Sequence, residues 1–299
     1  MRADAAMWSF LLPWKKRAPR PAYRIPEGTR VYAVGDVHGR ADLLVALHRE
    51  IVRDAARAGG RETPPRENLV VYLGDYIDRG ALTRQAVDLL LAGPPEGFRA
   101  VHLRGNHEDL LLRFLDDPSA LGAWLAVGGQ TTLLSYRVAP PASGFSPEKA
   151  RAARDALREA LPEAHREFFR GLRASLRVGD YFFCHAGVRP GVPLEDQALE
   201  DLLWIREEFV YCREPFGARV VHGHSICPRP ELRPHRIGLD TGAYATGTLT
   251  CAVLEGEGVR LLSSRPGLRP EPASRASAAR ARPAPSRCAA GPASRPLNP

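Results

Sequence analysis

Val31-Tyr32-Ala33-Val34-Gly35-Asp36-Val37-His38-Gly39 is an apolar run that stops at a glycine and then offers a carboxylate and an imidazole. The pattern returns twice. Val70-Val71-Tyr72-Leu73 leads into Gly74-Asp75-Tyr76-Ile77-Asp78-Arg79-Gly80, and Val101-His102-Leu103-Arg104 leads into Gly105-Asn106-His107-Glu108. β-Branched and aromatic residues fit a pleated, buried strand, so each run reads as a strand and each glycine as the turn that ends it. Two further runs end in imidazoles: Tyr181 to Cys184 before His185, and Val220-Val221 before His222-Gly223-His224-Ser225.

Between these runs the apolar period changes. Leu43, Leu47, Ile51 and Ala55 recur at helical spacing, as do Ala86, Leu89 and Leu90. Strands alternating with helices indicate an α/β layered fold. In such sheets the loops beyond the strand ends gather at one edge, where ligands bind, so five loops carrying metal-capable side chains are expected to converge. Residues 109–172 read as a mainly helical insertion beside the sheet, a wall more than a source of chemistry. Ser146-Pro147 there has the form of an N-cap followed by a first-turn proline. Three antiparallel strands are predicted near the end, at Arg236 to Ala243, Thr248 to Leu254 and Val259 to Leu262.

The net charge of +8 suggests a nucleic-acid binder until it is mapped along the chain. Residues 1–20 carry five cationic side chains against Asp4, and residues 265–299 carry seven arginines against Glu271, which leaves the body slightly acidic. A phosphate-backbone groove needs its cations on the folded surface, so no specific nucleic-acid partner is expected. The chain divides into a disordered basic segment at 1–26, a catalytic domain at 27–264 and a disordered Arg/Pro/Ala-rich tail at 265–299. The apolar stretch Met7 to Trp14 is too short to span a bilayer, leaving weak membrane-surface contact through the N-terminus. Five scattered cysteines form no CxxC pair, so neither a disulfide framework nor a zinc ribbon is indicated, and a cytoplasmic location is expected. Oligomeric state has no signature.

Asp36, His38, Asp75, Asn106, His185 and His224 make up the candidate ligand set. Mixed carboxylate, amide and imidazole donors suit manganese first, with iron or zinc as alternatives, whereas magnesium prefers fewer nitrogens. If one carboxylate is shared, two divalent ions about 3.5–4 Å apart would activate a water for attack.

The motifs GDVHGR, GDYIDRG, LRGNHE, HAGV and HGHS, in this order, resemble those of the PPP-type metallophosphoesterases, the serine/threonine protein phosphatase family. The resemblance covers about 28–262 and extends to the small bacterial branch through Trp124 to Tyr136, Leu203-Trp204-Ile205-Arg206 and Leu239-Asp240-Thr241-Gly242-Ala243. Ser225 stands where that branch has threonine, and Ile77 where valine is common. The resemblance implies a single-domain calcineurin-like fold, with central mixed β-sheets flanked by helices. It also implies roles. Asp36 and His38 would hold one metal, Asp75 would bridge, and Asn106, His185 and His224 would hold the second. Arg79 and Arg206 would clamp the phosphate. His107 would protonate the leaving alkoxide, with Asp78 orienting its ring.

Each residue also has a plainer reading. Asp36, Asp75 and Asp78 are good turn aspartates individually. His102 and His222 suit packing or support of a ligand, and His48, His165 and His235 a structural role. Arg206 can cover Trp204 with its stem, Asp240 can equally support a ligand or form a turn, and Cys184 reads as a buried, inert thiol. The activity expected is dinuclear metal-dependent hydrolysis of phosphomonoesters, with phosphoserine or phosphothreonine in a phosphoprotein as substrate, or a phosphorylated small molecule. A diadenosine polyphosphate hydrolase and a non-catalytic phospho-binding scaffold are the alternatives.

Overall fold

A computed structural model describes residues 22–58, 67–141 and 146–265. Residues 1–21 and 266–299, which hold most of the two segments read as disordered, lie outside the described residues. Residues 22–26 had been assigned to the N-terminal segment, yet Ile25 is fully buried and its N–H donates to Gly256 O at 2.9 Å.

Two five-stranded mixed sheets form the centre. In the first, β1 (Thr29–Val34) pairs parallel with β2 (Glu67–Tyr72), and β2 parallel with β3 (Phe98–His102). Two strands from the end of the described chain, β9 (Thr250–Glu255) and β10 (Gly258–Ser263), complete it in antiparallel register beside β1. The second sheet is built on β5 (Tyr181–Cys184), flanked by antiparallel β4 (Ser175–Val178) and parallel β6 (Arg219–His222). Next to β6 comes β8 (Arg236–Gly238), parallel, and then β7 (Glu231–Leu232), antiparallel.

Alternation along a strand sends successive side chains to opposite faces, and both faces here are covered. Val31, Ala33, Leu69 and Val71 point into a shared core with Tyr181, Phe183, Val221 and Ile237 of the second sheet. Tyr32, Val34, Val70 and Tyr72 point the other way, onto α1 (Ala41–Ala58) and α2 (Thr83–Leu91). Leu44, Leu47 and Ile51 form the buried stripe of α1, each fully enclosed and each contributing about 1.5–3 kcal/mol of transfer free energy. On its outer face the second sheet packs Phe182, Cys184 and Val220 against Leu202, Ile205 and Phe209.

The insertion is helical: α3 (Asn106–Asp116), α4 (Leu121–Ala126), α5 (Gln130–Ser135), α6 (Pro147–Ala160) and α7 (Glu163–Arg170). Ser146 caps α6 through Lys149 N, with Pro147 in the first turn. The strand-end loops belong to two mixed sheets, as the fold expectation had it, and β3 meets the second sheet through an isolated bridge between Leu103 and Arg173 and not through a shared ladder. One strand reading is corrected. The strand expected over Arg236 to Ala243 ends at Gly238 and runs parallel to β6. The chain then turns at Gly242, φ 66°, into a short helix over Ala243–Thr246. The short strands β4 and β7 carry too few buried residues to stand out in a single sequence.

Candidate active site

Five loops meet where the strand ends of the two sheets abut. Their closeness explains the glycines better than flexibility does. A Cβ on Gly105 would stand 2.1 Å from Asp75 Oδ1, and one on Gly223 1.9 Å from Asp36 Oδ1, so any side chain would displace a carboxylate. The backbone is held away from its comfortable regions. Among the described residues, the non-glycine residues with positive φ are His38, Asp75, Asp78, Arg79, Arg137 and His224, and all but Arg137 line this site. Such strain persists only where surrounding structure imposes it, and it gathers where side chains must be aimed.

All six ligand candidates come together. His38 Nε2 lies 3.6 Å from Asp75 Oδ2, and His185 Nε2 lies 3.4 Å from Asp75 Oδ1. Asn106 Oδ1 is 2.9 Å from both His185 Nε2 and His224 Nδ1, while His224 N donates to Asp36 Oδ2 at 3.0 Å. The imidazoles are pre-set: Nδ1–H of His38 donates to Ile77 O and Nδ1–H of His185 to Leu73 O, each at 2.9 Å. That leaves both Nε2 lone pairs turned inward. Burial depresses His38 to about 3 and His224 to about 2, so both rings are neutral. Asp75 is lowered too, which for a carboxyl favours the charged form. Against its burial, the neighbouring His185 and His107 hold it well below the usual carboxylate range.

These residues fit divalent cations. Asp36 Oδ1, His38 Nε2 and His224 Nε2 are buried and have no protein partner, an arrangement that is costly unless an ion satisfies them. Ligand atoms of His38, Asp75 and His107 lie within 4.8 Å of one another, as do those of Asp75, His185 and His224. Asp75 is common to both groups, as a bridging carboxylate must be.

His107 falls inside the first group, although the sequence reading gave it no metal. Its ring is otherwise engaged: Nδ1 lies 2.7 Å from Asp78 Oδ2 and Nε2 accepts from Arg79 Nη2 at 3.2 Å. Burial lowers its pKa, but Asp75 and the Asp78 hydrogen bond outweigh burial and the net shift is upward. A ring so held is suited to carry a proton.

The insertion contributes chemistry, contrary to its reading as a wall. Trp124 Nε1 donates to Asp78 Oδ2 at 2.9 Å and Thr132 Oγ1 to Asp78 Oδ1 at 2.6 Å, fixing the carboxylate that holds His107. Glu108 was also missed. Its carboxylate accepts from Asp75 N, Gly105 N and Tyr76 N at 2.8–2.9 Å, capping α3 and tying two loops together. The motif LRGNHE contained Glu108, and only its neighbours drew notice.

The remaining candidates are more peripheral. Arg79 is half-buried, its guanidinium 4.9 Å from the Tyr244 ring. Arg206 is exposed at the start of a short helix over Glu207–Val210, close enough for its charge to help depress His224. Trp204 sets its ring edge-on to His224 at 6.4 Å. His222 is buried beside Gly223 O, His102 stacks on Tyr72 at 4.9 Å, and His48 bonds Tyr72 Oη at 2.8 Å. Cys184 is fully buried, its thiol pushed far up by desolvation.

The sequence profile of the calcineurin-like phosphoesterases matches residues 29–245, the span that supplies every residue of this cluster. The chain belongs to the calcineurin-like phosphoesterase family. Members of this family are metallophosphoesterases, which accounts for two ligand groups sharing one carboxylate. Among calcineurin-like relatives, the bis(5'-nucleosyl)-tetraphosphatase PrpE (asymmetrical) of Bacillus thuringiensis strain Al Hakam is 22% identical over 233 residues, 73% of this chain and 87% of that one. The protein of the same name from Bacillus cereus strain 03BB102 matches equally well. A cold-active protein-tyrosine phosphatase from a psychrophilic Shewanella species shares the fold, with a TM-score of 0.51, 15% identity and 80% of each chain covered. No helix among the described residues is long and apolar enough to cross a membrane.

Proposed function

We propose that this calcineurin-like phosphoesterase hydrolyses phosphomonoesters of poor leaving groups, phosphoserine and phosphothreonine in proteins foremost, in the manner of the PPP-type phosphatases. The observation that carries the reading is the His107–Asp78 pair, buried and bonded at 2.7 Å beside the shared carboxylate Asp75. An alkoxide leaves poorly unless it is protonated as the bond breaks, and a carboxylate-oriented imidazole is the group that does this near neutral pH.

Asp36, His38 and Asp75 would hold one cation, and Asp75, Asn106, His185 and His224 the other, with manganese favoured by the mixed donor set. When bound, such ions polarise the phosphate and bring the pKa of a water towards neutrality. The protein does the rest. Arg79 now spends Nη2 on His107; an incoming phosphate takes over that donor, the guanidinium fork pairing with phosphate oxygens while Arg206 approaches from the rim. Freed of Arg79, a protonated His107 keeps Nδ1–H on Asp78 and presents Nε2–H to the leaving oxygen. Trp124 and Thr132 prevent Asp78 from swinging away.

A second reading, hydrolysis of dinucleoside polyphosphates, is favoured by the names of the relatives that align over most of their length, and by the exposed Tyr244 ring beside Arg79. There the departing group is itself a phosphate, with a pKa of about 6, and needs little help from an acid. Turnover of a phosphoserine peptide and of diadenosine tetraphosphate by one Mn²⁺-loaded sample decides between them. Preference for the dinucleotide, with His107→Asn leaving its rate intact, would replace the first reading by the second.

A further inference from the structure

Asp240 follows β8 and is only 2% exposed. Leu239, its neighbour, is pinned on two sides. Its N–H donates to His222 O at 2.9 Å, and its carbonyl packs on Gly35, where a Cβ would stand 2.5 Å from the oxygen. This close approach sets Asp240 beside Asp36, the two side chains within hydrogen-bonding reach. Of the Asp240 oxygens, Oδ1 accepts from Gly242 N at 2.8 Å, while Oδ2 is buried with no donor. Asp36 Oδ1 is in the same condition. Two enclosed carboxylates therefore face common space, each with an acceptor oxygen that no protein donor serves. Facing carboxylates repel unless a shared proton or a cation joins them.

The ligand sets are also unequal. The cation on the Asn106 side would take three side chains besides Asp75, and the one on the Asp36 side only two, Asp36 and His38. We propose that Asp240 is a further carboxylate of the metal centre, serving the cation on the Asp36–His38 side through Oδ2. The proposal rests on the two-cation reading of the site. Formation of the turn at Gly242 uses only Oδ1, and an asparagine could do that equally well, so turn-making does not account for an acid here.

The test is Asp240→Asn in the full-length chain, stripped of metal and titrated with Mn²⁺ alone by calorimetry. Its melting temperature is followed with and without Mn²⁺. The variant is expected to keep one site at wild-type affinity and to weaken the other about 10–100-fold. Its metal-free form should melt at or above the wild-type temperature, because one of two opposed carboxylates has gone. Wild-type affinity at both sites would overturn the proposal, as would a metal-free form that melts lower while both sites weaken alike, the mark of a structural residue. Asp240→Ser repeats the test if the asparagine variant does not fold, with the same expectations for the two sites. A wild-type chain that binds no Mn²⁺ removes the two-cation reading itself, and is thereby distinguished from a failure confined to Asp240.

Discussion

The site has two halves held by different means. The metal-facing half is made of strand-end loops: Asp36, His38, Asp75, Asn106, His185 and His224 are aimed by turns that only glycine permits at Gly105 and Gly223. The half proposed to supply the acid, His107 with Asp78, is steadied from outside the sheets by Trp124 and Thr132 of the helical insertion. On the proposed reading, one half fixes where cations would sit through backbone geometry. The other fixes a proton through side-chain hydrogen bonds, which sequence can alter without disturbing the sheets.

Losing Asp75 should break the comparison most severely, since it serves both halves. Asp75→Asn is expected to cost more than the roughly 10²–10³-fold that removal of one charge-stabilising donor costs, and to lower Mn²⁺ content, measured by elemental analysis. Next, His107→Asn should slow alkyl phosphate hydrolysis about 10²–10⁴-fold with metal content unchanged. On an aryl phosphate, a better leaving group, the deficit should shrink. An equal loss on both substrates, or loss of bound metal, would show that His107 belongs to the metal half.

Thr132→Val removes one hydrogen bond to the buried Asp78 carboxylate, a contact of about 1.5–3 kcal/mol, so kcat is expected to fall about 10–100-fold with KM and metal binding little changed. A collapse in metal binding would erase the distinction between the halves. The smallest effect concerns the fold away from both. Burial lowers His48 and His102 to about 4 from an unfolded value near 6.5. Between those limits the unfolded chain binds protons that the folded chain does not, so stability is full above about pH 6.5 and declines as pH falls towards 4. His48→Gln, which keeps a donor for Tyr72, should flatten that part of the denaturation profile.

That the six ligand candidates cluster was legible because a strand, a glycine and a metal-capable side chain lie next to one another in sequence, and the motif repeats. The sheets were partly legible for the same reason: β1, β2 and β5 announce themselves by continuous apolar runs. Which strand joins which sheet was not visible, since pairing depends on contacts such as Gly35 against Leu239 that join residues two hundred positions apart. Trp124 and Thr132 lay in a stretch that carried the resemblance but had no role assigned, because nothing local shows that an indole N–H and a hydroxyl point at Asp78. Asp240 was seen and left between turn and support. Its unsatisfied oxygen becomes evident only when Asp36 is in place.

Anomalous diffraction from crystals of the Mn²⁺-loaded protein, recorded above the manganese edge, tests the central claim most directly. Two peaks about 3.5–4 Å apart are expected on either side of the Asp75 carboxylate, one near Asp36 and His38, the other near Asn106, His185 and His224. A single peak, or none within this cage while the same protein hydrolyses phosphate esters, would contradict it.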